Sequence, residues 1–595
     1  MTNSGTQVAV ARTAEGMPVR SSFAPWRATA ALAVLLLALG GLHVWWLVRF
    51  RRGFPLDIDE SGYLWFSIVL HDALREDGPL GVVRGFQHEG WVGPLLPAVT
   101  AFAGLPGGAR EIVPSIAVQL LFLAVLVVSS YGIGTRLLDR RAGLLTAFVT
   151  ATAPALLDFV RTYHLVLSST AMYALATYAL LASDRLRRPS WSIGWGVALG
   201  LTMLSRSMVI AFAPALVLAA AWMLVVDRAE RRRIVNFGLG LAAFGATALL
   251  WYATSWRPIF RYLLDFGYGS ATPGDAATPL SLAYWTDELL GALEVSLYLP
   301  LAAVLVAALV AGIAALGIAF ARSRNPVATL SDWLRRAARS DAVVPAFVVG
   351  EGYVALTSSG NDGTGFVVPL LPSVFALVCV TALRVPWRRV RLGLVGALCA
   401  VSIFNVVMKA DVVDPVSEAR TVEVPLIGRV PLTNGRGFLH QHLVNEACYD
   451  LGSPTEWLPD RERGWLVLFR DAVSSLDALD LSDREPRTYI ALEEPVLNAS
   501  SVRLASLRDG RKGGVFDYVD TGSDDTMAAY RRFLADMQPD LLLTASAEAC
   551  HFGPQVTQRH VETAASSLGY VTFRRLPMPD GRTLHVWAHP ARKTS

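Results

Sequence analysis

The sequence predicts a polytopic α-helical membrane protein with about eleven spans, followed by a soluble α/β domain, and three observations predict it. Of its 595 residues, 53% are hydrophobic and only 17% charged, with a mean hydropathy of +0.41, which is too apolar for soluble domains alone. Apolar stretches of roughly 17 to 25 residues, each long enough to cross ~30 Å of hydrocarbon as a helix, recur from Trp26 to Met408 and then stop. Arginines gather in alternate connections, which gives the spans a direction.

The expected spans are residues 26–48, 113–135, 142–160, 165–183, 191–205, 207–226, 234–254, 293–320, 341–357, 366–383 and 391–408. Basic clusters at Arg136, Arg140 and Arg141, at Arg185, Arg187 and Arg188, and at Arg228 with Arg231 to Arg233 mark cytoplasmic loops. So do Arg322, Arg324, Arg335, Arg336 and Arg339, and then Arg384, Arg388, Arg389 and Arg391. On this count the tail, residues 1–25, is cytoplasmic in a multi-pass protein of the cytoplasmic membrane, and segments 49–112, 255–292 and 409–595 face outside. Arg49, Arg51 and Arg52 run against the count; they either snorkel to headgroups or meet an anionic ligand. The first span is too long for a cleaved signal peptide and is expected to be retained.

The membrane module is expected over 26–408, with a long outer loop, 49–112. That loop holds two segments too short to span, Glu60 to Ala73 and Trp91 to Phe102, which read as surface helices. The outer domain, 409–595, should carry strands near Trp465–Phe469, Thr488–Leu492, Asp540–Thr544, Tyr570–Arg574 and Leu584–Ala588. Helices are expected over Asp524–Met537 and Gln555–Ser567, and turn-rich connections over Pro415–Pro431 and Ser523–Asp525. Cys448 and Cys550 are the candidates for an outer disulfide.

The sharpest local feature is Asp57-Ile58-Asp59-Glu60-Ser61-Gly62-Tyr63, just beyond the first span. Close carboxylates beside a low-dielectric boundary raise one another's pKa, which suits one of them to act as general base on a hydroxyl. Helix capping, with Asp59 as N-cap and Glu60 in the first turn, explains the same residues. Arg206, at the turn between two spans, needs water, headgroups or a ligand phosphate. Arg161 and His164, in the adjacent outer turn, are candidates to share that phosphate, headgroup snorkelling being the alternative. Glu351, inside the ninth span, is either functional or an arginine's structural partner. Asn361 and Asp362 line the cavity or make the turn flanked by Gly360 and Gly363. His440 and His442 lack a third ligand, so no metal site is assigned.

The Asp59, Glu60 and Tyr63 pattern in a long first outer loop resembles the signature of GT-C glycosyltransferases, in the branch of protein O-mannosyltransferases and aminoarabinose lipid A transferases. Three further segments are similar to that branch in order and sidedness: Tyr131 to Gly143, Gly200 to Arg206, and Val368 to Pro372 with its proline pair. There are departures. His88 and Glu89 stand where the family often has a His or Glu followed by Lys and two prolines, and Gly365 and Phe366 replace an Arg and Tyr before the late prolines. The resemblance implies a glycosyltransferase moving a hexose or pentose from a polyprenyl-phosphate-linked donor to a hydroxyl on an extracytoplasmic glycan, lipid or protein. Asp59 would be the base with Glu60 beside it, and Tyr63, His88, Glu89, Arg161, His164, Arg206, Glu351 and Asp362 would bind substrate. No cofactor is called for, nothing supports a divalent cation, and the partners are membrane lipids and lipid-linked sugar rather than nucleic acid. A transporter or flippase of lipid-linked saccharide, or a membrane scaffold without catalysis, is the alternative.

Overall fold

The structure, a computed structural model, describes residues 24–52, 55–87, 90–104, 110–227, 230–268, 281–323, 325–359, 365–410, 420–424, 428–433, 459–479, 485–511, 514–522, 524–547 and 556–589. The apolar stretches fold as helices because lipid offers their backbone groups no other hydrogen-bond partners. In chain order these are α1 (Pro25–Trp46, continued by a π turn, Leu47–Arg51), α2 (Ile58–Gly85), α3 (Leu95–Ala103), α4 (Ile112–Leu137), α5 (Arg140–Ala151) and α6 (Pro154–Phe159). Then come α7 (Leu165–Ala182), α8 (Pro189–Ser205), α9 (Ser207–Val226), α10 (Arg231–Tyr268), α11 (Leu282–Gly291), α12 (Tyr298–Ala321), α13 (Pro326–Ala338), α14 (Val343–Thr357), α15 (Val368–Arg384) and α16 (Arg388–Lys409).

Among the described residues, seven helices are long and apolar enough to cross a membrane: α1 with its π turn, α4, α7, α9, α10, α12 and α16. Two shorter apolar helices, α14 and α15, accompany them. The protein is a multi-pass membrane protein. The expected span 142–160 is broken, because the helix stops at Thr152 and Pro154 starts α6 at the first-turn position proline favours. The expected span 234–254 instead runs on to Tyr268.

Four contacts mark one end of the bundle. Arg185 and Arg233 both hold Asp227, at 2.5 and 2.9 Å, while Arg136 donates to the Ala182 carbonyl and Arg384 to that of Leu137. The arginine-rich connections therefore meet at one end. The C-terminal elements pack at the other, called the domain side below. Helix α7 runs through the middle, with 89% of its apolar window buried.

Across the domain side lie α2 and α3. Helix α2 is longer than the expected Glu60 to Ala73 and bends at Gly78, whose φ of 67° precedes Pro79. After α16 come a hairpin, β1 (Arg420–Val424) and β2 (Gly428–Thr433), then α17 (Pro459–Ser474), β3 (Arg487–Ile490), α18 (Ala499–Arg508), β4 (Val515–Tyr518), α19 (Met527–Met537), β5 (Leu541–Ala545), α20 (Gln558–Ser567), β6 (Val571–Pro577) and β7 (Thr583–Ala588). The sheet order is β4-β3-β5-β7-β6, parallel across β4, β3 and β5 and antiparallel at β7 and β6.

Strand alternation gives the sheet two apolar faces. Leu541, Leu543, Leu584 and Val586 join a core that continues through α18 and α2 into the bundle, whereas Leu542, Tyr489 and Trp587 pack beneath α19 and α20. Three expectations are corrected here. Trp465–Phe469 is the middle of helix α17 rather than a strand, since Trp465, Leu468, Phe469, Ala472 and Val473 are buried at helical spacing while Val467 is exposed. The Pro415–Pro431 connection holds strand β1 and the start of β2. Strand β4 and helix α18 were not expected. Cys448, Cys550, His440 and His442 lie outside the described residues.

Candidate active site

Helix α2 begins at a capping box. The Asp57 carboxylate accepts the Glu60 amide at 2.6 Å, and the Glu60 carboxylate accepts the Asp57 amide at 3.3 Å. Asp57 is thus the N-cap, the position first considered for Asp59. Burial, with Glu60 and Asp59 nearby, raises the Asp57 pKa well above the usual carboxylate range.

Glu60 is fully buried. It pairs with Arg51 and accepts the Tyr163 amide at 2.7 Å. Its oxygens thus bond within the protein, so Glu60, expected beside Asp59 as a catalytic group, is held by Arg51 and the amides of Asp57 and Tyr163. Arg51, expected at headgroups or an anionic ligand, is instead buried against Glu60 and the Pro55 carbonyl. Tyr163 extends the same brace through its hydroxyl, at 2.5 Å from Ser67 and 2.6 Å from Thr100, joining α2, α3 and the turn before α7.

Beside this brace Asp59 faces outward, with its side chain 44% exposed. His164, the residue before α7, places Nε2 3.2 Å from Asp59 Oδ2. The turn that carries His164 is held by Gln119, which donates to the carbonyls of Thr162 and His164 at 3.1 and 2.7 Å. Tyr63, one turn beyond Asp59, sets its ring edge-on to His164 with centroids 5.5 Å apart. Burial, followed by the Asp59 charge, raises its hydroxyl pKa.

Arg206 closes the other side. Its guanidinium lies 4.0 Å above the Phe366 ring, and among the described residues it makes no hydrogen bond or ion pair. Burial lowers its pKa, while Tyr63, Tyr262 and Asp59 act in the opposite direction, so the cation faces that acidic and phenolic cluster. Two glycines set this geometry. A Cβ on Gly93 would fall 2.3 Å from the Ser205 carbonyl oxygen and 2.7 Å from the Arg206 nitrogen. Gly365 has φ +90°, and a Cβ there would meet Phe159 and Val166 at 2.8 Å. From Phe366 an apolar groove continues past Met208, Ile210, Phe260, Leu264 and Leu356.

Arg161 and His164 contact different protein groups, His164 meeting Asp59. The Arg161 guanidinium turns to the Lys409 carbonyl, to His43 at 3.4 Å and to the Trp46 ring at 4.5 Å, beside the buried Lys409–Asp158 pair at 2.7 Å. Glu351 stands apart in α14, near Tyr173 and Ala215, and its Oε2 has no hydrogen-bond partner among the described residues. His88, Glu89 and Asp362 lie outside the described residues. No group of three His, Cys, Asp or Glu side chains forms a metal site among the described residues. Sequence reading missed Tyr262, which stacks on Trp91 at 4.8 Å and hangs over the site from the extension of α10. No spacing rule links these two aromatic residues.

Fold and site together define a polytopic membrane protein with a carboxylate, an imidazole and a guanidinium gathered at one end of its helix bundle. The chain has the GT-C fold. ArnT from Cupriavidus metallidurans bound to undecaprenyl phosphate matches it with a TM-score of 0.52 at 15% identity, over 93% of this chain and 97% of that one. The apo form of that protein matches at 0.52 and 14%, over 94% and 98%. An oligosaccharyltransferase from Archaeoglobus fulgidus gives 0.47 and 12%, over 88% and 70%. Residues 94–256 match the family described as dolichyl-phosphate-mannose-protein mannosyltransferase, a stretch that includes Arg161, His164 and Arg206 but not Asp59. No curated protein sequence matches the chain.

Proposed function

We propose that this protein is a membrane glycosyltransferase that moves a sugar from a polyprenyl-phosphate-linked donor to an acceptor hydroxyl on the domain side. One observation carries the reading: the half-exposed Asp59 carboxylate, held by His164, lies near enough to act on the charge of Arg206, whose guanidinium covers Phe366 at the end of an apolar groove and has no hydrogen-bond or ion-pair partner among the described residues. Arg206 binds the donor phosphate, and the groove takes the first isoprene units. Asp59 removes the proton from the acceptor hydroxyl as its oxygen attacks the anomeric carbon. The bond from that carbon to the phosphate oxygen breaks, and polyprenyl phosphate leaves as an anion stabilised by Arg206. Direct displacement inverts the sugar carbon. By the excess of arginine in cytoplasmic loops, we take the arginine-rich end as cytoplasmic, with the N-terminus inside and the acceptor outside the cytoplasmic membrane. The family match and the shared fold support this reading.

The test is to incubate membranes containing the protein with a panel of polyprenyl-phosphate sugars and measure released polyprenyl phosphate. Asp59→Asn should lower release by ~100-fold or more while undecaprenyl phosphate still binds. Arg206→Gln should weaken that binding itself. Unchanged release in Asp59→Asn removes Asp59 as the base.

A further inference from the structure

A second cavity, of about 270 Å³, lies on the other side of α2. Ser61 lines it from α2, Arg508 from α18, Arg470 from α17, and Arg110 with Glu111 from the segment leading into α4. Asp59 and Ser61 are two residues apart and so leave the helix on opposite faces. Leu56, in the connection between α1 and α2, and Ile112, the first residue of α4, also line it, so the cavity adjoins the domain-side end of an apolar helix long enough to span. The end of a membrane-spanning helix is where lipid headgroups are met.

The lining is incompletely satisfied. Ser61 is 1% exposed and its Oγ has no hydrogen-bond partner among the described residues; a buried hydroxyl left in that state costs about 1–3 kcal/mol. Arg110 is held only loosely, 3.9 Å from Asp72, which does not line the cavity. Burial lowers the Arg508 pKa, with Glu111 and Asp509 acting against it. Those two carboxylates also line the cavity, so three arginines face two acids and one positive charge is left over. A singly charged anion balances it, whereas a dianion would leave an excess charge beside Glu111 and Asp509.

We propose that this cavity binds a phosphodiester, with its anionic oxygens on the arginines and an oxygen accepting from Ser61 Oγ. Guanidinium groups match such oxygens in pairs. The ligand is either the headgroup of a bilayer phospholipid or a phosphodiester on a soluble molecule. The site stands independently of the transferase reading, because it shares no residue with the Asp59 cleft.

The test uses the full-length chain purified in neutral detergent, titrated with phosphatidylglycerol and followed by native mass spectrometry, with glycerophosphoglycerol as the water-soluble competitor. The wild type should hold one phosphatidylglycerol saturably, and Arg470→Gln/Arg508→Gln should bind about tenfold more weakly. Displacement by glycerophosphoglycerol supports a soluble phosphodiester as the source, and failure to displace supports the lipid headgroup. Ser61→Ala keeps the test decisive if the arginine variants do not fold, since its hydroxyl makes no hydrogen bond among the described residues; it should weaken binding several-fold. Equal retention of phosphatidylglycerol by the wild type and Ser61→Ala, or by the wild type and the folded double variant, overturns the proposal.

Discussion

His164 Nε2 lies 3.2 Å from Asp59 Oδ2, so the carboxylate at the start of α2 is aimed by the last residue of a turn more than a hundred positions away. This contact positions the proposed base. His164→Ala should lower sugar transfer by about 10- to 100-fold, the value of a hydrogen bond to a charged group. His164→Gln, which keeps a donor, should retain more activity. Both variants should bind undecaprenyl phosphate as the wild type does, measured by tryptophan fluorescence titration.

Glu60 and Arg51 are both buried and paired. Glu60→Gln leaves a guanidinium in the interior without its counter-charge and should destabilise the protein by ~3–5 kcal/mol. Thermal melting in detergent checks this. Replacing both with apolar residues should cost less than Glu60→Gln alone, the reverse of what independent contributions would give.

Gly365 tests how Phe366 is presented. Gly365→Ala combines a positive φ with a Cβ 2.8 Å from Phe159 and should displace the ring from beneath Arg206. Loss of a cation–π contact of ~1–2 kcal/mol predicts undecaprenyl phosphate binding weaker by about five- to thirtyfold. Phe366→Leu should give a similar loss, and unaltered binding in both variants would remove the ring from the donor site.

Asp57 makes stability depend on pH. Its pKa is raised in the folded state by burial and by Glu60 and Asp59. As pH climbs from the unfolded aspartate value, about 3.9, towards the folded one, the unfolded chain releases its proton first. The folded chain then holds more protons, so stability falls with rising pH across that window. Asp57→Asn keeps a good N-cap and removes the titration. Its melting temperature should gain on that of the wild type as pH rises, with the advantage levelling off above the folded pKa.

The membrane architecture was legible because hydrocarbon leaves the chain few options: long apolar runs become helices, and Arg185, Arg233 and Arg384 collect at one end. The cleft was legible where one residue type had one strong reason to be there, as with Arg206 between two apolar spans. It was illegible where identical chemistry had two destinations. Arg51, Arg161 and Arg206 are all arginines near the domain side, and only the tertiary fold shows that Glu60 consumes the first and the Lys409 carbonyl and Trp46 the second. Asp57 and Asp59 exchanged roles because a cap shifted by two residues looks the same in a sequence rich in acids. In the soluble part, the short apolar run at Trp465 to Phe469 suits a strand as well as a helix, and only its neighbours' burial separates them.

Helix α2 meets the C-terminal part along its length: a Cβ on Gly62 would come within 3.6 Å of Ser500, and Arg503 lies 3.3 Å above Trp65. The same helix presents Asp59 to the cleft. The face of α2 that meets α18 has therefore been shaped by a partner that other proteins of this fold need not share. Grafting a foreign soluble domain onto this bundle would leave Trp65 against the wrong surface, and the loss would be felt first in the aim of Asp59. The two parts are better regarded as one inheritance than as interchangeable modules.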